Sequence, residues 1–101
     1  MAHGAPVVGW IAFKSSGFRF AKGEPVTYEG EGGSIRSFCG TCGTPLSFVN
    51  EQALPGLVDI PSVTLDEPDA VEPSVQIQVA ERRKWMEKLG EMPEFDRFPG
   101  E

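Results

Sequence analysis

The sequence predicts an all-β fold: a single domain spanning residues 1–101, built of short, mostly antiparallel strands, with a short helix near the carboxyl terminus. Three observations carry this. The chain has 101 residues with 40% hydrophobic content, enough for one modest core and no second domain. Twelve glycines and nine prolines interrupt it often, so the apolar runs between them are strand-length. Its two cysteines lie in one C-x-x-C turn, Cys39-Gly40-Thr41-Cys42-Gly43, flanked on both sides by extended patterns.

Val7-Val8-Gly9-Trp10-Ile11-Ala12-Phe13 is a β-branched and aromatic run bounded by Pro6 and Lys14-Ser15-Ser16-Gly17, as a buried strand would be. Phe18-Arg19-Phe20 alternates, Lys22-Gly23-Glu24-Pro25 turns, and Val26-Thr27-Tyr28 resumes, which reads as two neighbouring short strands. Glu29-Gly30-Glu31-Gly32-Gly33 is a loop, and Ser34 to Phe38 alternates up to Cys39. Pro45-Leu46-Ser47-Phe48-Val49 is extended again, so the cysteine turn joins two strands as a zinc-ribbon hairpin does. Asn50 to Pro55 reads as a turn and Gly56 to Ile60 as a strand. Leu65-Asp66-Glu67-Pro68-Asp69 is a solvated loop, and Ser74-Val75-Gln76-Ile77-Gln78-Val79 alternates over six residues like a half-buried strand. Ala80 to Leu89 holds good helix formers, with Trp85, Met86 and Leu89 able to share a face and Gly90 able to end the helix. Pro93 to Glu101 reads as a tail packed through Phe95 and Phe98.

The net charge of -6 is uneven: residues 1–50 carry four basic and three acidic side chains, residues 51–101 five basic and twelve acidic. No basic face is available for phosphate backbones, which excludes nucleic acid as the expected partner. There is no membrane-length apolar run and no signal-peptide pattern, so the expected location is the cytoplasm. In a reducing compartment a C-x-x-C pair is metal-binding or redox-active more often than a structural disulfide. The redox reading needs the first cysteine at a helix amino terminus, and Pro45 onward points to a strand instead. Zinc ligation, a redox dithiol and two ordinary thiols all stay open on the residues alone. Gly40 and Gly43 each follow a cysteine, where a positive φ or little bulk is needed. His3 is the one histidine, and three residues from the terminus it is expected to be exposed. Trp10 and Trp85 could line a pocket, although core packing accounts for them as well, and the acidic stretch Asp66 to Glu72 lacks the spacing of a calcium loop.

The order of features resembles the glutathione-dependent formaldehyde-activating enzyme family, which also includes centromere protein V and has an Mss4-like all-β fold. Gly4-Ala5-Pro6 leading into Val7 to Phe13, then Phe18-Arg19-Phe20 with Lys22-Gly23-Glu24, and above all Ser37-Phe38-Cys39-Gly40-Thr41-Cys42-Gly43-Thr44-Pro45-Leu46 carry the resemblance. Val58-Asp59-Ile60, Leu65-Asp66-Glu67-Pro68 and Trp85 follow in the same order. The resemblance implies a zinc-dependent carbon-sulfur lyase acting on a glutathione adduct. It assigns Cys39 and Cys42 to a structural zinc tetrad whose other two cysteines lie in an amino-terminal C-x-C-G. A second amino-terminal cluster, C-x-C-x-x-C, holds the zinc associated with catalysis.

Neither cluster is present here, so the chain is expected to be shortened at its amino terminus relative to the family, with catalytic residues unknown and zinc reduced to a half-site at Cys39 and Cys42. The expectation is a family member inactive in this 101-residue form; the alternative is a non-catalytic zinc-binding or small scaffold module. A sheet edge left open by the missing segment favours a homodimer, in which two C-x-x-C arms could share one zinc. The contrary expectation is a monomer with free thiols and an edge shielded by the carboxyl-terminal tail.

Overall fold

A computed structural model describes residues 4–100, so His3 lies outside the described residues. Five strands form one sheet: β1 (Trp10–Lys14), β2 (Val26–Glu29), β3 (Ile35–Phe38), β4 (Pro45–Val49) and β5 (Leu57–Pro61). Their order across the sheet is β1-β5-β4-β3-β2, with every neighbouring pair antiparallel. The all-β expectation therefore holds, and all five strands fall on runs that read as extended in the sequence.

Local chemistry fixes the connections. Between β2 and β3 a 3-10 turn at Glu31–Gly33 needs positive φ at Gly32 (70°) and Gly33 (81°), conformations that cost a side-chain-bearing residue about 1–2 kcal/mol. Asn50 ties this turn to the next one: its Nδ2 donates to the Gly32 carbonyl and to Ser34 Oγ, both at 3.2 Å, while its Oδ1 accepts from the Gln52 and Ala53 amides. β1 pairs with β5 from Trp10 against Pro61 to Lys14 against Leu57. The ladder is closed at its ends by Ser62 N–H donating to the Gly9 carbonyl and Ser15 N–H donating to the Gly56 carbonyl.

Register sorts the side chains. Ala12, Asp59, Phe48, Arg36 and Tyr28 lie directly opposite one another across the five strands and so share one face. Val58, Ser37 and Ser47 fall on the other face and are buried, with Val58 at 1% exposure the one fully buried apolar side chain among the described residues. Two serines where larger apolar residues could sit leave that layer thin. The radius of gyration, 15.8 Å, exceeds the roughly 13 Å of a compact domain of this length.

Three expectations are corrected. Phe18-Arg19-Phe20 is not a strand; its two rings stack edge to face at 5.1 Å, a local contact that competes with pairing. Ser74 to Val79 is not a strand either: Val75 and Ile77 are each 75% exposed, because alternation specifies a strand only where an edge and a covering layer receive it. The short helix expected over Ala80 to Leu89 is present as an eight-residue 3-10 helix, Lys84–Glu91, which starts later and runs through Gly90 rather than stopping before it. Only Met86 on that stretch is half-buried, so no packed face stabilises a longer α-helix. Phe95 and Phe98 are exposed, and the tail does not bury them.

Candidate metal centre

β3 delivers Cys39 at its carboxyl end, and β4 starts at Pro45, so the C-x-x-C turn is the β3–β4 connection. Cys39 N–H donates to the Thr44 carbonyl at 2.9 Å and Gly43 N–H donates to the Cys39 carbonyl at 2.7 Å, closing the turn on itself. The two glycines are needed for different reasons. Gly43 has φ of 80° with open space around it, whereas a Cβ on Gly40 would come within 2.9 Å of Val26 Cγ2. Gly43 thus supplies the backbone conformation and Gly40 the clearance against β2. Beside the turn, the β3–β4 register shifts by one residue between Ser37 and Phe38, a bulge that turns the strand ends outward.

The turn is an electrostatic nest for sulfur. The backbone N–H groups of Cys42 and then Thr41, with a smaller contribution from the Cys42 side chain, lower the Cys39 thiol below its ordinary range; the slight burial opposes them and loses. Cys42 Sγ lies 3.1 Å from Thr44 Oγ1. Both cysteines are free thiols, Cys39 half-buried and Cys42 exposed, so an ion can reach both sulfurs from solvent. A thiol whose ionisation is eased by backbone N–H groups, on a closed turn, fits one arm of a thiolate zinc site. Among the described residues there is no group of three or more His, Cys, Asp or Glu that could hold a metal ion.

A cavity of about 250 Å³ opens beside the turn, lined by Trp10, Arg36, Phe38, Gly43 and Pro45 with Ser37 and Ser47. Trp10 meets Phe48 edge to face at 6.4 Å, and the Arg36 guanidinium lies 4.6 Å over the centre of the Phe48 ring. Trp10 thus both packs and lines a pocket, whereas Trp85, 46% exposed, has no part in it. The sequence reading did not single out Arg36 or Phe48. Alternation could have placed them on one face, but only the β3–β4 register brings them together. Asp59, two strands from Arg36 on the same face, has its carboxyl pushed up by burial.

An antiparallel sheet with a closed C-x-x-C turn between two of its strands defines a small all-β domain. The model of the glutathione-dependent formaldehyde-activating enzyme family matches residues 1–81, and the chain belongs to that family. No curated protein and no solved structure matches it. No helix among the described residues is long and apolar enough to cross a membrane.

Proposed function

We propose that this chain is a zinc-binding member of the formaldehyde-activating family in which Cys39 and Cys42 form the structural half of a tetrahedral thiolate site, and that the 101-residue chain does not itself turn over glutathione adducts. The observation that carries the reading is the stabilised Cys39 thiolate on the closed, glycine-dependent turn. A zinc ligand must be deprotonated, and backbone N–H groups aimed at the Cys39 sulfur favour that form without a positively charged neighbour. The inactivity follows from ligand number: catalytic zinc takes about three protein ligands and one open position, and two thiolates given to a structural role leave none. Family membership supports a glutathione adduct, cleaved or formed at a carbon-sulfur bond, as the substrate class to which a complete site would be directed, with bound zinc acting as a Lewis acid.

The second reading is a non-catalytic interaction module, favoured by the amount of apolar surface the chain presents, Tyr28, Val75 and Ile77 among it. Purified chain tested for formation of the glutathione–formaldehyde adduct, with zinc and with a chelator, separates the readings from a lyase. Zinc-dependent turnover that disappears in Cys39→Ser contradicts both.

A further inference from the structure

Two halves of a strand pairing stand open in this chain. The first is the outer edge of β2, whose four residues are all exposed. Gly30 N–H donates to the Ser34 carbonyl, and antiparallel ladders alternate inward and outward residues. Val26 and Tyr28 therefore bond to β3, while the N–H and C=O groups of Thr27 and Glu29 point away from the sheet. The second is Ser74 to Val79. It alternates polar and apolar, Val75 and Ile77 are 75% exposed, and residues 71–78 make no backbone–backbone hydrogen bond among the described residues. Gln78 has φ of 56°, the one non-glycine residue with positive φ among those described, and this strained conformation interrupts an otherwise strand-competent run.

We infer that the chain forms a homodimer by reciprocal strand addition, Ser74 to Val79 of each copy pairing with the outer edge of β2 in the other. The strand comes from a second copy because every residue from 66 to 85 is exposed and the Val75 and Ile77 side chains, 75% exposed, are covered little by their own chain. Charge agrees: Arg82, Arg83 and Lys84 follow the segment, and Glu24, Glu29 and Glu31 surround β2. Area agrees as well. The chain exposes 8645 Å², against about 5,600 Å² for a compact monomer of its mass, and the surplus exceeds the roughly 800 Å² per partner of a stable interface. Addition satisfies the backbone groups of Thr27 and Glu29 and lets Gln78 relax to extended backbone. It also lays Val75 and Ile77 beside Val26 and Tyr28, and a twofold exchange closes without leaving a propagating edge.

Light scattering and hydrogen exchange on the full chain at micromolar concentration test this. The expected result is a dimer unaffected by chelator, with amides of residues 75–79 protected in the dimer and unprotected on dilution. Thr27→Pro removes an outward N–H and leaves the β2–β3 ladder intact, and weakens the dimer on the order of tenfold or more. Ile77→Lys changes a side chain already in solvent, so the monomer folds and only the dimer is lost. A monomeric wild type, a dimer indifferent to Ile77→Lys, or protection of residues 75–79 that persists in the monomer overturns the inference. So does a dimer that chelator dissociates.

Discussion

Val58→Ala tests where the stability of this sheet resides. Val58 is 1% exposed on β5, which lies between β1 and β4, so removing its two methyl groups loses about 1.6 kcal/mol of transfer free energy at about 0.8 kcal/mol per carbon. A cavity of a few tens of Å³ that the neighbouring strands cannot collapse adds on the order of 1 kcal/mol. The expected cost is about 2–3 kcal/mol, a large share of the roughly 5–15 kcal/mol that holds a domain together. In a thermal melt, with about 4–8 °C lost per kcal/mol for a domain near this size, Tm falls by about 10–20 °C. Val63→Ala makes the same chemical change at 74% exposure and is expected to stay within about 0.5 kcal/mol. Similar costs at both positions, or a Val58→Ala cost under about 0.5 kcal/mol, would refute a core centred on β5.

Four further outcomes follow from named contacts. Gly43→Ala forces φ of 80° on a residue with a Cβ, worth about 1–2 kcal/mol, so a chelator competition assay should show zinc affinity about five- to thirtyfold weaker; Gly40→Ala, at negative φ, acts by pushing Val26 instead and should be detected as a shift of that methyl in NMR. Because the folded Cys39 thiol is lowered, its thiolate contributes stability at pH above the ordinary thiol range, and this is lost as pH falls through the folded value. In Cys42→Ser, which keeps the backbone N–H, the alkylation profile of Cys39 should have its midpoint below that of the denatured chain. The Asp59 carboxyl is raised by burial, so its charge penalises the folded state as pH climbs past the unfolded carboxylate value and most fully above the folded one; Asp59→Asn should raise Tm at pH 7, with the gain vanishing in acid. Arg36→Ala should cost about 0.5–1 kcal/mol in denaturant unfolding, and Phe48→Leu should remove most of the effect of that change in a double-mutant cycle.

What was legible in the sequence was local. Pro45 to Val49 and Gly56 to Ile60 carry their own strand patterns and turn residues, and each is a strand within a residue of those bounds. The C-x-x-C turn could be placed between strands because glycine and proline punctuate it on both sides. Pairing was not legible: the neighbour of β1 is β5, some forty residues later in the chain, and no local pattern encodes that. Ser74 to Val79 misled for the same reason, since its alternation describes a surface waiting for a neighbour rather than the neighbour itself. Helix formers over Ala80 to Leu89 marked a short helix, and without a burying face it takes the 3-10 form over Lys84–Glu91. At the site, the two cysteines were evident from spacing, whereas the cavity beside them depends on Trp10 reaching across from the opposite half of the sheet.

Zinc titration of the reduced chain, with metal per chain and free thiols read on the same sample, bears most directly on the central claim. Cys39 and Cys42 are expected to lose reactivity together as zinc binds, at no more than one ion per chain, and Cys39→Ser and Cys42→Ser are each expected to abolish binding. Two thiols that stay fully reactive at saturating zinc, or zinc retained after both are replaced by serine, would contradict it.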